Sequence, residues 1–296
     1  MNTPVALFAF NRAGALKESL AALSCCIGAE ATDLYIFIDG PRTADERKKT
    51  DAVAAVAVDI RGFNSVTLRH SDVNRGLGPS IIAGVSELVS RYGRVIVLED
   101  DLVVTRDFLC WMNAGLERYE AVPEVFSVCG YTNKVVIPGG YPHDGYFALR
   151  SSSWGWATWK DRWDSVDWEP SREAIRQHAR AFNRWGGSDC AKMLLDWKEG
   201  RNKSWAIRFC FSEFLQGKVT LFPNRSRVDP TLGFVGDGTN CKRYSRFKWE
   251  MATDADRPPY RLPDQAAMVP SVLRSALRYH SVLRRAWSRL MYLIYR

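Results

Sequence analysis

The sequence predicts an α/β fold: a mostly parallel central sheet flanked by helices, with a helical extension at the C-terminus. Three observations carry this. Short apolar runs at residues 4–10, 34–38, 66–68 and 95–98 alternate with segments whose apolar residues recur at helical spacing. The first, second and fourth runs end in polar residues at the C-terminal tip, where open parallel sheets hold ligands. The last 26 residues then change character, with six arginines and no acid.

Residues 4–10 form a strand ending at Asn11-Arg12, and Leu16, Leu20 and Leu23 mark the helix after it. Residues 34–38 form a second strand ending at Asp39-Gly40-Pro41, and 66–68 a third. Asn74-Arg75-Gly76-Leu77-Gly78-Pro79 leads into a helix whose inward face is Ile81, Ile82, Val85, Leu88 and Val89, with Pro79 suited to a first helical turn. Gly76-x-Gly78 is no dinucleotide fingerprint, because Ile81 stands where the third glycine belongs, and a Gly-Lys-Ser/Thr phosphate loop is absent.

The four residues 95–98 read as a strand buried on both faces, followed by Glu99-Asp100-Asp101. Adjacent carboxylates repel one another, so the triplet is expected to be neutralised by a divalent cation and the phosphates that it bridges; the alternative is a solvated acidic turn. Beyond it, Phe108, Met112, Leu116 and Tyr119 space a helix and 125–128 a strand. Trp154, Trp156, Trp159, Trp163 and Trp168 follow, with Gly155 between the first two, and this density fits core packing or an aromatic wall against a sugar. Residues 169–203 are read as helices around an acceptor, 205–215 as a helix, 219–222 as a strand and 233–240 as a loop able to close over a ligand.

The boundaries are then a main domain at 1–255, a proline-rich linker at 256–270 and a basic amphipathic helix at 271–296. Of the formal charge of +8, the tail holds six positive charges, so the main domain offers no basic face for nucleic acid. If the tail is one helix, Arg274, Arg278, Arg285 and Arg289 gather on one side and Leu273, Leu277, Trp287, Leu290 and Ile294 on the other, a pattern for an anionic membrane surface. Seven cysteines without CxxC spacing and four scattered histidines exclude a disulfide framework and a zinc centre. With no basic segment before the first strand and no long apolar run, the expected location is cytoplasmic, peripheral on the inner face of the cell membrane.

The order of motifs resembles the GT-A-fold nucleotide-sugar glycosyltransferases: a strand ending in Asn-Arg, one ending in Asp-Gly, Asn-x-Gly before a helix, Val-Ile-Val-Leu-Glu-Asp-Asp-Leu with Asp107-Phe108 after it, then Ser153-Trp154-Gly155-Trp156. In pattern it is similar to the metal-dependent N-acetylglucosaminyltransferases that branch N-glycans and to bacterial transferases of surface-polysaccharide and lipopolysaccharide synthesis, over residues 4–240. The resemblance implies that Asp101 binds Mn²⁺ or Mg²⁺, that Glu99 and Asp100 face ribose or sugar, and that Arg12 and Asp39 contact the nucleotide, Asp39 at the base. Asn11, Arg75, Trp154, Gly155 and Trp156 complete the substrate-binding candidates. The implied donor is a nucleotide-diphosphate sugar and the acceptor a glycan or a lipid-linked one.

One departure bears on mechanism. Ala206 and Ile207 stand where the N-acetylglucosaminyltransferases carry two aspartates, one of them the general base. Glu213, two turns on and expected to face solvent, and Asp237, in the glycine-bordered loop, are the substitutes; Asn240 replaces a histidine that bacterial relatives carry there. The missing base leaves a second reading open, a catalytically silent nucleotide-sugar-binding subunit of a polysaccharide assembly complex. A nucleotidyltransferase is disfavoured because its glycine-rich, lysine-containing N-terminal loop is absent.

Overall fold

The computed structural model describes residues 2–234, 247, 251–253 and 258–294. The first half winds as β1 (Val5–Ala9), α1 (Ala13–Ser24), β2 (Asp33–Ile38), α2 (Ala44–Val58), β3 (Ser65–His70), α3 (Leu77–Tyr92) and β4 (Arg94–Glu99). β1 pairs in parallel with β2 on one side and with β4 on the other, and β2 pairs with β3. The order β3-β2-β1-β4 therefore reverses between β1 and β4, which opens a crevice beyond their C-terminal ends.

The second half adds β5 (Val103–Val104), α4 (Phe108–Arg118), β6 (Val125–Cys129), β7 (Gly145–Ala148), β8 (Trp156–Trp159), α5 (Lys160–Asp164), α6 (Arg172–Gly186), α7 (Cys190–Lys198), α8 (Ala206–Leu215), β9 (Val219–Pro223) and β10 (Val228–Asp229). β8 runs antiparallel between β4 and β6, β9 lies parallel to β6, and β7 is the antiparallel edge. The expected mostly parallel sheet flanked by helices is what the chain forms; β7 and β8 are additions that periodicity did not reveal.

Alternation along β1 explains the layering. Val5, Leu7 and Ala9 pack against Leu16, Leu20 and Leu23 of α1 and Val53 of α2, while Ala6 and Phe8 pack against Ile81, Val85 and Leu88 of α3. Each face of a strand serves a different helix layer, so the run reads as continuously apolar. A third cluster, with Ile175, Phe182, Leu194, Ile207 and Phe211, joins α6, α7 and α8.

The tryptophan cluster divides. Trp156 is fully buried in β8, stacked on Trp163 at 5.8 Å and on Trp205 at 4.9 Å, so of the two readings of the cluster it takes core packing, and it is not the substrate-binding residue that the resemblance suggested. A strand paired on both sides hides alternate side chains under helices on either face, and Trp156 lies on the α3–α5–α8 face. Gly155, at φ +64°, lies so close to Val228 and Phe108 that a Cβ would meet Val228 at 2.7 Å; it fixes the entry to β8 and offers a ligand no surface.

The proline-rich segment is bound to the domain and is not a free tether. From residue 258 on it lies along the surface: Tyr260, Leu262, Ala266 and Met268 pack on the core, Tyr119 Oη donates to the Pro263 carbonyl at 2.6 Å, and the Arg261 N–H donates to Asp144 at 2.6 Å. The tail forms two helices, α9 (Pro270–Tyr279) and α10 (Val282–Ile294), where one was expected. The break at His280-Ser281 interrupts the helical register, and Arg285 turns inward to Asp189 at 3.3 Å.

Asp107, read as part of a site motif, is a buried structural tie. Its carboxylate accepts from Arg227 Nε at 2.8 Å, Thr105 Oγ1 at 2.6 Å and Tyr260 Oη at 2.9 Å, and the Arg227 guanidinium lies 4.3 Å from the Trp111 ring centroid. This one carboxylate links the start of α4, the strand β10 and the surface strap. Removing one charge of a buried pair strands the other, so Asp107→Asn is expected to destabilise the fold by about 3–5 kcal/mol in urea melts, and Tyr260→Phe by about 1 kcal/mol. Equal small losses for both would show that Arg227 finds other partners.

Candidate functional site

Parallel pairing of β1 with β4 brings two strand tips side by side. Their register runs to Phe8 opposite Glu99, the Asp100 N–H donates to the Phe8 carbonyl at 3.0 Å, and the Phe10 N–H donates to Asp100 Oδ2 at 3.4 Å. Arg12 follows in the turn, and its Nη2 donates to Asp100 Oδ1 at 2.5 Å and Asp101 Oδ2 at 3.0 Å. Ser19 of α1 supports the acidic turn from below, its Oγ donating to the carbonyls of Asp100 and Leu102. Asn11, Arg12, Glu99, Asp100 and Asp101 all line a cleft of about 640 Å³.

The electrostatics follow from this crowding. Burial, with Asp101 and Asp100 adding to it, pushes Glu99 up to about 8 against the pull of Arg12. Burial pushes Asp100 up to about 6, with Arg12 opposing and Asp101 reinforcing the rise. Burial works against the charge of Arg12, yet Asp100 and Asp101 hold its pKa above the ordinary guanidine value. Arg12 is a resident counter-charge for two of the acids, so the triplet is partly neutralised by the chain itself.

The same arrangement tests what metal the residues suit. Among the described residues no three metal-ligating side chains converge. Arg12 occupies Asp101 Oδ2, while the Asp101 side chain keeps 18% of its surface open. One partly open carboxylate suits Mn²⁺ or Mg²⁺ only where phosphate oxygens and water complete the coordination shell, which is the usual mode for nucleotide-bound ions. The residues fit a metal that arrives with a diphosphate.

Across the cleft, Asp39 has a role different from the one implied. Its Oδ1 accepts from the N–H groups of Gly40 at 3.0 Å and Arg75 at 2.8 Å, and its Oδ2 from Asn74 Nδ2 at 3.0 Å and the Gly76 N–H at 2.8 Å. A carboxylate has about four acceptor positions, and all are filled, so Asp39 shapes the 74–76 loop and has none left for a base. Gly40 permits this, since a Cβ there would lie 2.5 Å from the Val73 backbone. The Arg75 side chain is exposed and lines a smaller neighbouring cavity, not the cleft.

That loop delivers the N-terminus of α3 into the cleft. Gly76 caps α3 without a side-chain hydrogen bond, and Gly76, Leu77 and Ser80 line the cleft. Arg42, Lys49 and Lys203 line it too, and Phe8 stacks on Phe37 at 4.9 Å in its wall. Open helix N–H groups with cations nearby attract phosphate, and aromatic faces take a planar base. Sequence reasoning missed Lys49, which reads as one charge in the solvated run of α2, and Lys203, which comes from a segment more than 100 residues beyond the acids.

The remaining candidates lie elsewhere. Trp154 lines a second cavity of about 270 Å³ together with Tyr131, Arg150, Ser152 and His280, and it meets Tyr131 edge-on at 4.8 Å. Glu213 was expected to face solvent and is fully buried, because α8 is covered by the sheet and by α6 and α7. Its carboxylate accepts from Thr220 Oγ1 at 2.7 Å and the Ser151 N–H at 3.2 Å, burial pushes it up to about 7, and it lines neither cavity. Asp237 and Asn240 lie outside the described residues.

The raised values fix the sign of a pH effect. Carboxylates whose folded values exceed their unfolded ones bind more protons when folded, so their contribution to stability falls as pH rises from about 4 through about 8. Glu99→Gln should therefore match wild type in melting temperature near pH 4 and exceed it increasingly toward about pH 9. A difference that stays constant across that range would rule out a raised Glu99 carboxyl in the folded chain.

No family model matches the chain, and no curated protein matches it. Among solved structures it is similar to S. aureus TarS residues 1–349 at 10% identity and a TM-score of 0.44, over 77% of this chain and 60% of that one. It is similar to the mannosyltransferase PcManGT from Pyrobaculum calidifontis in complex with GDP-Man and Mn²⁺, at 13% identity and 0.38, over 73% and 70%. The galactosyltransferase LgtC with donor and acceptor sugar analogs follows at 16% and 0.36, over 60% and 65%. TarS has also been solved with UDP-GlcNAc and with UDP. This chain spans 60% of the length of the TarS 1–349 structure. At TM-scores below 0.5 these likenesses carry no argument about activity, and the function is argued from the cleft itself.

Proposed function

We propose that the chain is a GT-A-type glycosyltransferase that moves a sugar from a nucleotide-diphosphate donor to a glycan or lipid-linked acceptor in surface-polysaccharide synthesis. One observation carries the reading: at the switch point of the sheet, Arg12 bridges Asp100 and Asp101 opposite an uncapped helix N-terminus that Lys49 and Lys203 accompany. A ligand matching both walls has a planar base, an anionic middle and a hydroxyl-rich end.

The residues divide the work accordingly. Phe37, half-buried in the cleft wall, offers the base an aromatic surface, and the α3 N-terminus with Lys49 and Lys203 draws the diphosphate. Glu99 and Asp100 accept hydrogen bonds from ribose or sugar hydroxyls. Asp101 is the residue that would hold Mn²⁺ or Mg²⁺ arriving with the donor, and the chemistry such an ion would supply is Lewis-acid stabilisation of the departing diphosphate. Arg12 keeps the two aspartates oriented and partly neutralised before the donor arrives. Asp237 is the candidate base for the acceptor hydroxyl, because Glu213 faces neither cavity.

The burial of Glu213, with Ala206 and Ile207 in place of acids, favours a second reading in which the chain binds the nucleotide sugar without turning it over. Nucleotide sugars screened by thermal shift with and without Mn²⁺, followed by donor turnover, separate the two. Binding with turnover supports the transferase, and binding without turnover supports the silent subunit. For the transferase, Asp101→Ala should lower metal-dependent turnover by about 10²-fold or more while the fold persists. Asp237→Asn should slow transfer by about 10²–10⁴ with donor affinity kept. Wild-type metal-dependent turnover in Asp101→Ala would remove the metal role from that residue.

A further inference from the structure

The last helix presents its apolar side to solvent. In α10, Leu283 is 83% exposed, Trp287 54%, Leu290 48% and Ile294 63%. At 3.6 residues per turn these four share a stripe about 60° wide. The opposite side is the one held to the protein: Arg285 meets Asp189 at 3.3 Å, and Asp189 is itself fixed by Arg150 through paired bonds of 2.8 and 3.1 Å. The preceding helix is anchored as well. Val272 and Tyr279 of α9 are buried, the Val136 N–H donates to Ser275 Oγ at 2.9 Å, and His280 meets Asn133 at 3.3 Å. The stripe therefore faces away from the Arg285–Asp189 ion pair that ties α10 to the protein.

Charge identifies what the stripe fits. Arg284 is exposed on the flank of this stripe, Arg289 is exposed one turn beyond Arg285, Arg274 and Arg278 are exposed on α9, and residues 271–296 contain no acid. A second copy would bring arginines against arginines. Among the described residues no helix is long and apolar enough to cross a membrane. We infer that α10 lies on an anionic lipid surface, with Leu283, Trp287, Leu290 and Ile294 in the acyl boundary and Arg284 against headgroup phosphates. The inference stands apart from the transferase reading, since it rests on the tail and not on the cleft.

Co-sedimentation of the full chain with phosphatidylcholine vesicles, with and without phosphatidylglycerol, tests the inference. The chain should pellet with the anionic vesicles at low salt and be released by added salt. Arg284→Ala should weaken binding about fivefold. Trp287→Glu with Leu290→Glu should abolish it. All three side chains are exposed, so melting temperature and nucleotide-sugar thermal shifts should stay at wild type in both variants, which keeps a failure here distinct from a failure of the cleft reading. Absence of pelleting at low salt, equal binding to neutral vesicles, or unchanged binding by Trp287→Glu with Leu290→Glu would overturn it. So would a dimer seen by light scattering that the same double variant dissolves, since a second copy would then cover the stripe.

Discussion

The guanidinium of Arg12 shared between Asp100 and Asp101 is the constraint around which the rest of the molecule is arranged. It closes the C-terminal end of the β1–β4 pair, where two parallel strands would otherwise expose three carboxylates to one another. Its geometry depends on register. A shift of one residue along β4 would turn Asp100 to the other face of the sheet, away from the Phe10 N–H and from Arg12. The apolar residues of β1 and β4, divided between two helix layers, fix that register, so core packing and site electrostatics are two effects of a single alignment.

The Asp39 turn mirrors this on the other side of the cleft by different means. There the charge is satisfied by four hydrogen-bond donors and no cation, and the product is a loop conformation. One wall of the cleft is therefore a fixed loop, and the other holds an ion pair already in place. A binding site with both walls set has much of its ordering cost met before the ligand enters.

Local pattern revealed most of the first half of the fold because β1, β2, β4, α1 and α3 each have a clear period, with strand tips marked by Asn11-Arg12, Asp39-Gly40 and Glu99-Asp100-Asp101; α2, charged in its first half and mostly alanine and valine after it, shows no such period and was not read. The second half was harder to read. β7 and β8 are strands of four residues, and β8 is half tryptophan, so its composition suggests a surface wall as readily as a core strand. Residue type located the acids and Arg12 but not their relation, since an ion pair spanning 88 residues leaves no periodic trace. The role of Asp39 was misread for a related reason: its partners are mostly backbone N–H groups, and a sequence does not display which of these are free. Glu213 shows the converse, a charged side chain that pattern assigns to solvent and three-dimensional layering encloses.

The position of β8 has a consequence for how the chain is made. β8 follows β6 and β7 in sequence yet inserts next to β4, so the strand that carries the acidic tip keeps an unpaired edge until residue 159 has been added. The first hundred residues contain a complete βα succession, but they leave Val95 and Val97 without the cover of Trp156, Trp163 and Trp205. The N-terminal half is thus not a separable folding unit. During synthesis, the strand edge most open to pairing with another chain belongs to the strand that bears the site, and it is sealed by a tryptophan-rich strand that arrives late.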